Sequence, residues 1–189
     1  MLIEDENGQL MTASPFDFEQ LHGKQTRFNR DSVHRSLLTL QAAQNENEVI
    51  EHATQIIGEA LPADCYGVML LDPARAALYC HPSARGGCGH VDMLPLTTKS
   101  IVTQVFNTGR SIRLSNAWLD PNYYPIDPRI RSELCVPLEI NGHRLGVINV
   151  ESKCPDAFTP DDEQWLINIA AHLAASLDRF HVRRAATPN

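Results

Sequence analysis

Two thiols and two imidazoles fall within eleven positions of this chain, as Cys80-His81 and Cys88-Gly89-His90. Thiolate and imidazole suit tetrahedral zinc or, with fewer ligands used, iron. Adjacent residues on a strand point to opposite faces, so at most one of Cys80 and His81 can join Cys88 and His90. That leaves Cys80, Cys88 and His90, an open three-ligand site, and the recurrent C-x-x-C spacing of zinc sites is missing, which weighs against a metal. Cys88 with His90 could instead act as a thiol nucleophile, with Cys80 or Cys135 as a redox partner. No third group that would orient the histidine is visible in the sequence. The run Gly86-Gly87-Cys88-Gly89 matches neither the Walker pattern nor G-x-G-x-x-G and is read as a turn or lid.

A second group of chemistry-bearing side chains sits in residues 115–131, where three prolines accompany Trp118, Tyr123 and Tyr124. A surface loop seldom keeps three large aromatics unless they cover something. His172 and His181 fall on the last helical pattern and are read as packed or surface residues. Arg179, Arg183 and Arg184 suit the negative end of that helix and need no nucleic acid to explain them.

The elements that must position these residues carry strong local signals. Residues 132–153 hold two apolar runs joined by Asn141-Gly142, the signature of a type I′ hairpin. Thr159, Pro160, Asp161, Asp162 and Glu163 then read as the cap and acidic first turn of a helix. Earlier, the strand Cys65 to Leu71 turns through 72–75 into Ala76 to His81. A short helix with stripe Ile101, Val102, Val105 and Phe106 is stopped by Gly109, and Ser111 to Leu114 forms another strand. Ahead of these, Val33, Leu37, Leu38 and Leu40 make one helical stripe, and Val49, Ile50, Ala53, Ile56, Ile57 and Ala60 make a second, separated by Asn45 and Glu48 in capping-box spacing.

The last helix carries Leu166, Ile169, Ala170, Leu173, Leu177 and Phe180, with a second apolar row at Ile167, Ala171 and Ala174. Two rows exceed what one sheet face needs, so Leu37, Leu40, Leu173 and Leu177 are expected on helices that pair in a dimer. The element order predicts an α+β fold: a central antiparallel sheet of about five to six strands, with N- and C-terminal helices on one face and loops on the other.

Sixteen Lys and Arg against twenty-three Asp and Glu leave a formal charge of −7. Such a chain repels phosphate backbones and anionic lipid, so neither nucleic acid nor membrane is an expected partner. The acidic N-terminus lacks the basic region of a signal peptide, and no apolar run approaches the roughly 20 residues of a membrane span. Five cysteines without small-secreted-domain spacing are expected as reduced thiols in a cytoplasmic protein. Residues 1–30 lack sustained periodicity and read as an arm, 31–184 as one domain and 185–189 as a tail.

Ser152-Lys153, Phe158, Asp162 and Glu163, following that hairpin, resemble the C-terminal half of a GAF domain, with Ser in place of the common Asn. The resemblance covers roughly residues 31 to 184. It implies a GAF/PAS-like fold with a small-molecule pocket under the 82–98 and 115–131 loops. By this analogy Arg85, Cys88, His90, Ile101, Trp118, Tyr123, Tyr124, Arg131 and Cys135 line or border the pocket, with Arg85, Arg129 or Arg131 pairing with an anionic group on the ligand. The expected role is a non-catalytic sensor that signals through its terminal helices as a homodimer, to a separate protein or to an output module beyond this chain. Cyclic nucleotides, amino-acid-like metabolites, small anions and haem all occur among look-alikes; no ligand is selected, and metal and haem are not favoured. The catalytic alternative is a thiol or metal enzyme of the free methionine sulfoxide reductase type using Cys88. That group's helix-start cysteine aligns with Val102 and its loop cysteine falls near Ile126, so both thiols are absent here.

Overall fold

The computed structural model describes residues 2–4, 10–12, 40, 42–86 and 93–186, with side chains for residues 40, 42–86 and 93–180. In chain order the elements are β1 (Leu2–Glu4), β2 (Leu10–Thr12), α1 (Glu46–Ala60), β3 (Cys65–Asp72), β4 (Ala77–Cys80) and β5 (Leu94–Pro95). They continue as α2 (Ile101–Thr108), β6 (Ile112–Leu114), β7 (Ser132–Ile140), β8 (His143–Ser152) and α3 (Pro160–Ala186). One sheet runs β5-β4-β3-β8-β7-β6 with every neighbouring pair antiparallel, the α+β architecture expected from the sequence. The two-residue edge strand β5 is too short to carry a period and was not expected. Within the segment read as an arm, β1 pairs antiparallel with β2.

The β7–β8 turn sets the register of the sheet's centre. Asn141 and Gly142 both have positive φ, 51° and 78°, as a type I′ turn requires. Glu133 therefore lies opposite Glu151, and Cys135 opposite Asn149. On the other edge of β8, Cys65 lies opposite Glu151 and Gly67 opposite Asn149. A β-carbon at Gly146 would sit 1.9 Å from the Met69 carbonyl oxygen, so only glycine lets β3 approach β8 this closely.

Each helix begins on a side-chain cap. Asn45 accepts from the Glu48 N–H at 2.9 Å, while the Glu48 carboxylate accepts from the Gln44 N–H instead of closing back on Asn45. Ser100 and Thr103 make a full capping box on α2, which Gly109 ends in the left-handed conformation. Thr159 and Asp162 cap α3 reciprocally, through Thr159 N–H to Asp162 Oδ2 and Asp162 N–H to Thr159 Oγ1.

Strand period then sorts the side chains between two faces. Val68, Leu134, Val136, Leu138, Ile148 and Val150 face α1 and α3 and form the main core with Val49, Ile50, Ile57, Leu166 and Ile169. Met69, Cys135 and Val147 face the other way, against Ile101, Val102, Val105 and Phe106 of α2.

The dimer-seam expectation fails at the residues chosen for it. Leu40, Leu173 and Leu177 belong to the chain's own core, and Leu37 lies outside the described residues. Both apolar rows of α3 are used inside the chain, because α3 packs on the sheet and on α1 together. Ala174 is buried, Ile167 packs against the core, and only Ala171 of the second row is exposed. No helix among the described residues is long and apolar enough to cross a membrane.

Candidate functional site

The face of the sheet turned away from α1 and α3 ends in three polar side chains. Glu133 of β7 and Asn149 and Glu151 of β8 are 3%, 5% and 5% exposed. They form the floor of a cavity of about 40 Å³, walled by Met69 of β3, Leu94 of β5, and Ser100, Ile101 and Val102 at the start of α2. Tyr124 and Ile126, from the loop between β6 and β7, complete the wall and stand partly exposed at its mouth. The space holds about three water molecules, so a larger occupant needs that loop to move outward.

The floor is electrostatically unbalanced. Glu133 and Glu151 are direct cross-strand neighbours, a placement where like charges repel at close range. Burial pushes the Glu133 carboxyl well above the usual range and the Glu151 charge pushes it further, while a hydrogen bond from Asn149 opposes them. Glu133 Oε2 and Asn149 Oδ1 are buried acceptors with no protein partner, and the buried Tyr123 hydroxyl likewise makes no hydrogen bond. Burial, followed by the charges of Glu151 and Glu133, raises the Tyr123 phenol above its ordinary value, so it stays protonated. No basic residue is among the described residues lining the cavity. Among the described residues, no donor bearing positive charge meets Glu133 Oε2 or Asn149 Oδ1.

The residues expected from sequence are distributed differently. Ile101 and Tyr124 line the cavity. Tyr123 reaches beneath the loop towards the glutamates, while Trp118 packs edge-on against it at 6.0 Å and donates from Nε1 to the Ile130 carbonyl. Cys135 is fully buried in the apolar layer against α2. Burial holds its thiol well above the ordinary range and pushes that of Cys80 up to about 11, so both stay protonated and make poor redox partners near neutral pH. The expected arginines do not enter the cavity. Arg131 is exposed, Arg129 is paired with Asp127, and Arg85 is exposed, donates to the Ser83 and Ala84 carbonyls and borders a separate open groove along α1.

Cys88 and His90 lie outside the described residues. Among the described residues no group of three or more His, Cys, Asp or Glu could hold a metal ion. Sequence reasoning missed Glu133, Asn149 and Glu151. Their signal was present as polar residues in phase within otherwise apolar strands, with Asn149 and Glu151 two apart.

Cys80 and His81 do diverge. The Cys80 thiol lies on the loop side near Gly67, whereas His81 is buried towards α1. His81 Nδ1 accepts the Ser83 N–H at 3.2 Å and lies 2.9 Å from Ser83 Oγ, which places the ring proton on Nε2, 3.4 Å from Asn47 Oδ1. Ser83 Oγ in turn meets Thr54 Oγ1 at 2.9 Å, tying β4 to α1. Burial lowers the His81 pKa, and nearby Glu51 opposes this. The unfolded chain therefore binds more protons below about pH 6.5, and stability falls as pH drops through that value towards the lower folded one. Protonation should cost about 1 kcal/mol, the worth of the bond from Ser83 N–H. Urea unfolding at pH 5 and 7.5 checks this: His81→Gln should flatten the difference, and an unchanged slope would assign it to another group.

The GAF domain family model matches residues 43–178. No curated protein matches the chain. Among solved structures it is similar to the GAF domain of a phosphoenolpyruvate-protein phosphotransferase from Coxiella burnetii, at 20% identity and a TM-score of 0.73, covering 82% of this chain and 96% of that one. It is equally similar to the free methionine-R-sulfoxide reductase of Neisseria meningitidis in complex with its substrate, at 19% identity and a TM-score of 0.74, covering 94% and 97%. The type II reductase of Thermoplasma acidophilum follows at 21% identity and a TM-score of 0.62, covering 79% and 97%. The expectation of a chain without catalysis does not stand, because proteins sharing this fold over nearly their whole length include enzymes. From the match over residues 43–178 and the six-stranded antiparallel sheet with its helices, the chain belongs to the GAF domain family.

Proposed function

We propose that this GAF domain binds a small ammonium-bearing metabolite, an amine or a free amino acid. The cationic end meets Glu133, Asn149 and Glu151, and a short apolar part lies against Met69, Ile101 and Val102. The observation that carries this reading is Glu133, 3% exposed on the cavity floor with an unpaired oxygen and a second carboxylate opposite. An ammonium brings three N–H donors and a positive charge to a site with acceptors to spare. An anionic ligand meets the opposite field, since the arginines expected to hold it lie elsewhere. The Neisseria structure, whose named substrate type is a free amino-acid sulfoxide, makes methionine sulfoxide a natural first ligand to test. Occupancy is then read through the 115–131 loop, which carries Tyr124 and Ile126 and is tied to β8 by Arg131 N–H to the Ser152 carbonyl.

Thermal unfolding with L-methionine sulfoxide, L-alanine, propylamine and propionate tests the reading. The amines should stabilise the chain, by about 2.7 kcal/mol at a hundredfold excess over Kd, and propionate should not. Stabilisation by propionate with none from the amines would overturn it.

A further inference from the structure

An ammonium would satisfy the acceptors on the cavity floor but not the nearby Tyr123 hydroxyl. The Tyr123 ring packs against Cys65 of β3 and Ile130, with Trp118 edge-on to it. Its hydroxyl is buried and makes no hydrogen bond. Among the acids whose charges reach the phenol, Glu151 and Glu133 come first, which sets it beside the floor, and the next residue, Tyr124, lines the cavity itself. The ring is held in place before any ligand arrives. Tyr123 N–H donates to the Asp120 carbonyl at 3.1 Å, and Trp118 Nε1 donates to the Ile130 carbonyl at 2.8 Å. A buried O–H without an acceptor is costly, and an ammonium, which carries donors only, offers it none.

We infer that Tyr123 selects the ligand: its hydroxyl donates to an oxygen on the ammonium compound, so the site prefers amino alcohols, amino amides or amino sulfoxides to plain alkylamines. The inference rests on the ammonium-binding reading above and names the ligand class within it. The accepting oxygen is uncharged. A carboxylate in its place would face the charges of Glu133 and Glu151, with Asp120 close to Glu133, while Asp127 already takes up the charge of Arg129 in the same loop. Filling the site then pairs the one hydroxyl near the floor that the empty protein leaves without a hydrogen bond. Because the ring is already positioned, little ordering cost is set against the new bond.

Calorimetry on the full chain tests the selection, with ethanolamine against propylamine and 3-amino-1-propanol against butylamine, pairs that exchange a hydroxyl for a methyl group. In Tyr123→Phe the affinity ratio of at least one pair should move about tenfold towards the alkylamine, the usual worth of a hydrogen bond whose loss leaves a buried group unpaired. β-Alanine should bind more weakly than 3-amino-1-propanol. The empty Tyr123→Phe protein should unfold at no lower temperature than the parent, because the hydroxyl it loses has no partner in the chain. Ratios unchanged to within about twofold in both pairs overturn the inference and leave the ammonium reading intact. A lower unfolding temperature for the empty variant also overturns it, by showing that the hydroxyl is bonded inside the protein. Tighter binding of β-alanine than of the alcohol overturns the uncharged acceptor. No binding by any of the four amines overturns the ammonium reading and the inference together.

Discussion

Glu133→Gln is expected to make the empty protein more stable at pH 8 while weakening ammonium binding about a hundredfold. The two effects have one origin. Glu133 is buried beside Glu151 with one oxygen unpaired, so in the empty protein it adds desolvation cost and repulsion that the single hydrogen bond from Asn149 offsets only in part. Its carboxyl holds a proton more tightly when folded than when unfolded, because burial first and Glu151 second disfavour the charge. A raised folded pKa contributes stability that is full below the unfolded value of about 4.5 and is lost as pH climbs through the folded one. Glutamine keeps the shape, cannot ionise and offers an amide donor towards Glu151. The variant should therefore match the parent near pH 4.5 and exceed it by about 1–3 kcal/mol at pH 8, the usual cost of an unmet buried polar group. For the ligand, the same change removes a charge-assisted hydrogen bond worth roughly 1.5–3 kcal/mol, which is the hundredfold loss. Urea unfolding at the two pH values reads the first effect and calorimetry the second. A variant less stable than the parent at pH 8 would show that the Glu133 charge is already satisfied within the protein.

The fold was more legible than the site, for a physical reason. Asn141-Gly142, Thr159 with its acidic turn, and Gly109 at the end of α2 are local devices whose meaning depends on few neighbours, and the alternation of β7 and β8 fixes which residues share a face. Glu133, Asn149 and Glu151 could be placed on one face by the same alternation. That the face is closed over, and so makes those carboxyls costly, depends on where α2 and the 115–131 loop settle. Arg85 and Arg131 show the converse: a basic residue in a loop carries no local signal of direction, and both turn outward. The second row of α3 misled because helical period reveals that a face is apolar without revealing what covers it. Here α1 packs beside α3 and covers most of it.

That distinction makes Leu173 the decisive residue on α3. Leu173→Asp is expected to abolish folding, not to split a dimer into folded monomers. The side chain is fully buried among Ile169, Leu177 and the apolar face of the sheet, so aspartate there is an ionised group with no described partner and no water. Leu173→Ala removes three carbons and leaves a cavity, at about 2–5 kcal/mol. Adding a buried, unpaired charge exceeds that and takes most of the roughly 5–15 kcal/mol that holds a domain of this size together. Ala175, exposed on the outer side of the same helix, provides the contrast: Ala175→Asp should leave the fold intact and cost no more than about 0.5 kcal/mol. Circular dichroism with sedimentation separates the cases. Loss of secondary structure in Leu173→Asp with a native Ala175→Asp places the residue in the core. A folded Leu173→Asp at half the parent's mass would instead put α3 in a seam between copies, because a side chain freed into water by dissociation no longer bears the cost of a buried charge.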